Sequence, residues 1–394
     1  MIKKIIKKLY SIIIFNVSKL IPRNRKIYVF GSWEGNKFSD NSKYLYISSQ
    51  EIVDIRAIWI TKNRDVYNSI SELGYEVYMA YSIKGILAQL RCGIYFTTVS
   101  PYDLCPEFLG GAIHVNLWHG IPIKKIVYDD EITNVYTKNK FKRCIDSINN
   151  LLFFMPEKNK YIISPSDEIS MIYASAFRQN RNQILELGQP RNDVFYNEEL
   201  EDFGFPEKLR SKKVILYMPT HRKEGRVGMD ISRNFELEIL NDFCVKNDVL
   251  FVIKKHYYHR MENEALDNYS NIIDITNETY DTQMLLKFAD ILITDYSSCY
   301  IDYLLLERPI LFYCFDYENY IETDRDLYFE YNSITPGPKI NNFADLLGIL
   351  ERASENDWEI YTEDIKKKKE FFHSYRRKGL LSSNLIIDYF KGIE

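Results

Sequence analysis

The sequence predicts an α/β protein made of two parallel-sheet halves, and three observations carry that expectation. From Lys26 onward, short runs rich in Ile, Val, Phe and Tyr alternate with segments of helical length, which is the pattern of βαβ units. The alternation lapses in the charged, strand-free stretch 191–213, around Gly204 and Pro206, and restarts at Val214. At 394 residues the chain is also too long for one ordinary core. Two halves joined near residue 200, with their strand tips facing a common cleft, are the expected architecture.

Before the alternation begins, residues 1–22 carry Lys3, Lys4, Lys7, Lys8 and Lys19 among Ile2, Ile5, Ile6, Leu9, Ile12, Ile13 and Leu20 at helical spacing. Asn16 is the exception on that face, and Pro22 closes the segment. A basic amphipathic helix of this kind suits an anionic membrane surface. A helix packed on its own domain with its lysines in water is the competing reading. The apolar centre is short and no small-x-small site follows it, which argues against a signal peptide.

In the first half, strands are expected at 27–30, 55–60, 94–98, 113–117, 161–164 and 184–187, with helices at 44–50, 66–73 and 83–90. Residues 75–79 continue the alternation, and the last two strands are expected to run into polar loops. In the second half, strands are expected at 214–218, 249–254, 272–275, 291–294 and 310–314. Helices are expected at 235–245, 281–289, 298–306, 343–353 and 362–375.

The composition excludes several classes. An apolar fraction of 46% and a charged fraction of 27% are those of a globular protein. A net charge of −4 argues against nucleic acid as a partner, because little would offset the counterion term. Cys92, Cys105, Cys144, Cys244, Cys299 and Cys314 include no C-x-x-C pair, so neither a zinc site nor a disulfide framework is expected, and a reducing, cytosolic setting is. No run reaches the ~18 apolar residues of a membrane span. The P-loop, the dinucleotide fingerprint, the G-x-S-x-G elbow and H-E-x-x-H are all missing. No metal site is expected.

Chemistry-bearing residues gather where strands end. In W-H-G-I-P-I-K, a strand delivers His119 to its carboxyl tip, Gly120 allows close approach, and Pro122 forbids continuation as an interior strand. Ligands of open α/β sheets bind outside the carboxyl ends of strands. In P-T-H-R, Arg222 follows a strand stopped by Pro219 and offers a planar fork for phosphate. His256 ends the next strand after Lys254 and Lys255, much as His119 ends its own. In I-T-D-Y-S-S-C-Y-I-D-Y, Ser297 and Ser298 are expected to cap a helix whose amino terminus suits an anion, with Asp302 on the same face.

Taken in order, W-H-G-x-P-x-K, P-T-x-R, K-x-H and D-Y-S-S-x-x-x-D-Y resemble the CDP-glycerol glycerophosphotransferase family of teichoic acid and capsule synthesis. Residues 38–46 look like that family's S-x-N-P-K-Y segment, with Ser42 in place of proline. Ile121, His221 and Lys255 stand where the family often has threonine, tryptophan and an apolar residue, departures that bear on the donor's polyol. The resemblance covers roughly residues 25–390.

It implies a GT-B fold, with an amphipathic membrane-associating helix at 1–22 and a Rossmann-like acceptor domain at 23–197. A Rossmann-like CDP-donor domain at 198–375 and a helix crossing back at 376–394 complete the expected order. It further implies a peripheral protein on the cytoplasmic face of the membrane that transfers glycerol phosphate from CDP-glycerol to an undecaprenyl-linked acceptor and releases CMP. CDP-ribitol is the alternative donor, a nucleotide sugar a more distant one, and a non-catalytic scaffold the remaining reading. His119 is expected as general base. Arg222, His256 and the Ser297–Ser298 terminus are expected to hold the pyrophosphate, with protonated His256 assisting the leaving group. Trp118, Gly120, Ile121, Pro122, Lys254, Lys255 and Asp302 are expected to contact substrate. No motif binds a cofactor, and a divalent cation is left to act from solution without a protein cage.

Overall fold

The structure, a computed structural model, describes residues 2–130, 160–200, 205–220, 222, 231–255, 266, 268–318, 320, 326–360, 364–375 and 379–393, with the side chains of 2–8 left aside. Contacts divide the chain into two units. Unit 1 comprises residues 1–119, 127–200 and 373–394; unit 2 comprises 120–126 and 201–372.

Unit 1 holds seven strands: β1 (Asn24–Phe30), β2 (Arg56–Thr61), β3 (Val77–Met79), β4 (Cys92–Thr97), β5 (Ile113–Asn116), β6 (Lys160–Ser164) and β7 (Ile184–Glu186). They form one sheet in the order β3-β2-β1-β4-β5-β6-β7, with every pairing parallel. Because side chains alternate across a strand, β1 serves two cores. Tyr28 and Phe30 join Trp59, Phe96 and Val115 beneath the helices Asp40–Ser49 and Ser382–Lys391. Ile27 and Val29 join Ile58, Ile60 and Tyr95 on the opposite face, with Ala88, Leu104 and Phe108. The Ser382–Lys391 helix is anchored by Asp193, whose carboxylate accepts the backbone N–H groups of Ser382 and Ser383 at 2.8 and 2.7 Å.

Unit 2 holds β8 (Lys213–Met218), β9 (Val249–Ile253), β10 (Ile272–Asp274), β11 (Ile291–Thr294), β12 (Ile310–Tyr313) and β13 (Lys339–Ile340). The sheet runs β10-β9-β8-β11-β12-β13, again all parallel. Counted within the unit this is the doubly wound order 3-2-1-4-5-6, whose strand order reverses between β8 and β11. Ile215, Phe251, Ile253, Ile291, Ile293 and Leu311 pack against Leu240 and Phe243 of the Leu237–Lys246 helix and Leu346 and Leu350 of the Phe343–Glu355 helix.

Three local expectations are corrected. β6 does not run into a loop: Ser166 accepts the Ile169 N–H and caps the helix Asp167–Ala176, with Asp167 and Glu168 in its first turn. The helix after β11 is only Cys299–Tyr303, continued by a 3-10 turn at Leu304–Leu306. Ser298 makes no side-chain cap bond there; Ser297 Oγ accepts from the Cys299 N–H at 3.4 Å. β5 ends at Asn116, because Asn116 Oδ1 takes the Trp118 N–H at 2.9 Å and Trp118 turns to φ +56°.

Among the residues whose side chains are described, the amino-terminal helix, Ile2–Ser18, docks on unit 1 through Ile14, Phe15 and Ser18. Phe15 and Ser18 are buried and Ile14 packs on the core, while Leu9, Ile13 and Leu20 are more than half exposed. The Gly110 N–H donates to Ser18 Oγ at 2.9 Å, and a Cβ on Gly110 would lie 2.3 Å from the Phe15 carbonyl oxygen. Arg23 closes the junction by donating to the carbonyls of Ser18, Gln89 and Phe108. Among the described residues no helix is long and apolar enough to cross a membrane.

Candidate active site

In unit 1 the site is built around the end of β5. His119 is partly buried, its ring flanked by Trp118 at 4.1 Å and Trp33 at 5.4 Å between centroids. Burial is the main cause holding its pKa below the ordinary histidine value. Arg191 acts in the same direction, and the Asp40 carboxylate and a hydrogen bond with the Thr98 backbone oppose it. The imidazole is therefore the neutral, proton-accepting form at neutral pH. Trp118 and Gly120 are partly exposed, whereas Ile121 and Pro122 are buried. The stretch read as one element in the sequence is shared out, since residues through His119 belong to unit 1 and 120–126 to unit 2. Within unit 2 those residues are held by the pairs Tyr328 N–H to Ile123 O and Lys125 N–H to Asp326 O, both 2.8 Å.

Sequence reasoning missed the residues that hold this loop. Asn41 Nδ2 donates to the carbonyls of Leu117 and Trp118, at 3.3 and 2.8 Å. Arg191 Nη1 donates to the His119 carbonyl at 2.8 Å and to Asp40 Oδ1 at 3.1 Å. Arg191, the first residue of the charged, strand-free stretch, belongs to the turn Pro190–Phe195 after β7 and is largely buried. The signal was present, because G-Q-P-R punctuates the end of β7 much as H-G-I-P follows β5. Asp103 plays a related part at the reversal between β1 and β4. It is buried and accepts from the N–H groups of Glu34, Thr98 and Val99, so it ties together the loops after both strands.

In unit 2 the loops at the β8–β11 reversal are joined by Asp295, which is fully buried and accepts from the Thr220 N–H at 2.8 Å. Arg222, expected as a phosphate fork, is committed elsewhere. Its Nε and Nη2 donate to Asp316 at 2.7 and 3.0 Å, Nη2 also to Asp295 at 2.9 Å, and Nη1 to the Thr220 carbonyl at 2.6 Å. Tyr296 and Tyr320, stacked at 3.7 Å, each lie 5.1 Å from the guanidinium. Burial lowers the guanidinium's pKa, but the two carboxylates outweigh it and hold the group above its ordinary value. Among the described residues, two carboxylates, Asp295 and Asp316, surround this one cation. Arg222 is a clamp on these loops.

The remaining expected residues are distributed as follows. Lys254 Nζ donates to the carbonyls of Ile275 and Glu278 at 3.0 and 2.6 Å. Lys255 is buried, 3.3 Å from Asp274. Asp302 is buried, with Gln283 Nε2 3.3 Å from its carboxylate. Ser297 and Ser298 are partly exposed at the carboxyl end of β11. His256 lies outside the described residues, as do His221 and Cys144. A cavity of about 630 Å³ opens beyond β12, lined among others by Phe315, Tyr317, Tyr331, Asn332 and Asn341.

A family model described as CDP-Glycerol:Poly(glycerophosphate) glycerophosphotransferase matches residues 13–386. The chain belongs to this family. It is an enzyme of the glycerophosphotransferase family. The chain is 30% identical to the teichoic acid poly(glycerol phosphate) polymerase of Bacillus spizizenii over 369 residues, 89% of each chain. It is also 30% identical to the teichoic acid glycerol-phosphate transferase of Staphylococcus aureus over 374 residues, 90% of this chain and 91% of that one. A teichoic acid ribitol-phosphate primase of Bacillus spizizenii is 28% identical over 365 residues, 90% of this chain and 89% of its own. Among solved structures, the wall teichoic acid polymerase TagF matches with a TM-score of 0.72 at 25% identity, over 100% of this chain and 97% of that one. A TagF variant soaked with CDPG matches with a TM-score of 0.71 at 26% identity, over the same shares. The glycerophosphotransferase family therefore supplies both the chemistry class and the α/β fold.

Proposed function

We propose that this enzyme transfers glycerol phosphate from CDP-glycerol to a hydroxyl of a membrane-linked, undecaprenyl-type acceptor, with release of CMP. The observation that carries the reading is the His119 ring, set between Trp118 and Trp33 just past β5, in a chain of this family. The acceptor oxygen attacks the polyol-bearing phosphorus, the bond from that phosphorus to the CMP oxygen breaks, and His119 takes the hydroxyl proton. Unit 2 is assigned the donor, with Ser297 and Ser298 towards the diphosphate and the cavity beyond β12 towards the nucleoside, its volume being that of a small-ligand site. His256 is assigned to the leaving phosphate. Arg222 contributes by fixing the loops after β8 and β11.

A panel of CDP-glycerol, CDP-ribitol and nucleotide sugars, incubated with the enzyme and one defined lipid-linked acceptor, tests the reading. CMP release with CDP-glycerol is expected, and mass spectrometry of the product separates single addition from polymerisation. Release of CMP with CDP-ribitol alone would reassign the donor; release of UDP or GDP would reassign the reaction.

We further place the enzyme on the cytoplasmic face of an anionic membrane through two helices. Leu9, Tyr10, Ile13, Val17 and Leu20 are more than half exposed, as are Ile83 and Leu87 of the Ile83–Arg91 helix. Both helices pack on one core, through Ile14 and through Ile86 and Leu90, and each carries exposed apolar residues that suit a membrane surface. Removing residues 1–22 would also strip Phe15 and Ser18 from the fold, so the cleaner variant is Leu9→Glu/Ile13→Glu/Val17→Glu. It is expected to lose roughly 100-fold in binding to phosphatidylglycerol vesicles, given the transfer energy of such side chains. Unchanged sedimentation would refute the placement.

A further inference from the structure

We propose that Asn41, Asp40 and Arg191 are positioning residues for His119, forming a cage that fixes the backbone of residues 117–119 and sets the charge environment of the imidazole. The proposal rests on His119 acting as the base, and goes beyond it by naming what makes the base competent.

Three consecutive carbonyls at the end of β5 are each taken by a side chain from elsewhere in unit 1. Asn41 takes those of Leu117 and Trp118, and Arg191 that of His119. The cage is closed on itself, because Asn41 Oδ1 accepts the Arg191 N–H at 3.1 Å and Asp40 Oδ1 accepts from Arg191 Nη1. The Arg191–Asp40 pair is largely shielded, with side chains 13% and 11% exposed, so its charges act through little solvent.

The loop needs holding. Trp118 sits at φ +56° and Asp40 at φ +64°, a region disfavoured for residues with a Cβ. Such a conformation persists only where its surroundings over-determine it, and it places the two indoles against the His119 ring.

The same two charges bear on the ring with opposite signs, Asp40 favouring protonation and Arg191 opposing it. Among the described residues, further charged groups on the packed elements have partners of their own. Lys37 stands over the Trp33 ring, Asp103 is bound to three backbone N–H groups, and Lys160 lies over the Phe177 ring behind Trp118. The loop after β4 contributes only the Thr98 backbone.

A part that was only structural would weaken folding and activity without a charge-dependent signature. The cage predicts one. Arg191→Gln is expected to raise the acid-limb pKa of kcat/KM, and Asp40→Asn to lower it. Arg191→Lys, which keeps the charge but loses the fork, should leave the limb in place while kcat falls. Asn41→Ala should lower kcat by roughly 10- to 100-fold with KM little changed, as expected for a small misplacement of a catalytic group.

Because these variants can be too slow to assay, the His119 pKa is read directly as well. The full-length protein labelled at its six histidines is titrated by NMR, with His119→Asn assigning the resonance and circular dichroism confirming the fold. Opposite shifts for Arg191→Gln and Asp40→Asn support the cage. Shifts of the same sign, or none, in folded variants overturn it while leaving the base assignment intact. Full activity of His119→Asn would instead overturn the base assignment.

Discussion

Replacing His119 with alanine is expected to lower CMP release by about 10²- to 10⁴-fold, the range a positioned general base contributes. The loss should fall on kcat, because the imidazole acts on the proton that moves in the transition state. The pH profile is the second readout. A base must be neutral to accept, so kcat/KM falls as pH drops through the His119 pKa. Burial and Arg191 hold that pKa below the ordinary histidine value of about 6.5, and the acid limb should accordingly lie below it. In His119→Ala the limb should disappear. Retention of more than about a tenth of the wild-type rate, well short of the expected base contribution, would remove His119 from the mechanism.

Arg222→Ala is expected to act first on stability. The substitution strands Asp295, which is fully buried, and Asp316, which is mostly so. Breaking a buried ion pair from one side costs about 3–5 kcal/mol. For a unit of this size that corresponds to a drop in Tm on the order of 10 °C in the transition of unit 2. Arg222→Lys keeps the charge yet cannot reproduce the four guanidinium contacts, and should recover only part of the loss. If Arg222 gripped phosphate instead, KM for the CDP-polyol would rise while Tm stayed put, and calorimetry beside initial-rate measurements separates the two outcomes.

Much of this molecule was legible one segment at a time. Strands ending at Phe30, Met218 and Thr294 announce themselves, because a β-rich run is halted there by Gly31, Pro219 and Asp295, residues that favour turns. The same punctuation drew attention to His119 and to D-Y-S-S. Where expectation failed, a second segment had intervened. Ser298 has the chemistry of a cap, yet the turn is already organised by Asp295, which takes the N–H groups of Thr220 and Tyr296. The amino-terminal helix is amphipathic in sequence, but the close approach of Gly110 selects Phe15 and Ser18 as its docked side.

Arg222 shows the limit most clearly. Read along the chain it is a cation just past a strand, which fits phosphate as well as carboxylate. Its partners are 73 and 94 residues away, brought to it by the parallel crossovers that set β8 beside β11 and β11 beside β12. Asn41 and Arg191 stand 150 residues apart and meet at a third element. Periodicity and punctuation are local properties of the backbone, so they placed the strands, their tips and the histidine at the end of β5. Which charges neutralise one another, and which carbonyls find donors, depends on strand order, and so only the folded sheets could set Arg222 between Asp295 and Asp316 and bring Arg191 to the His119 carbonyl.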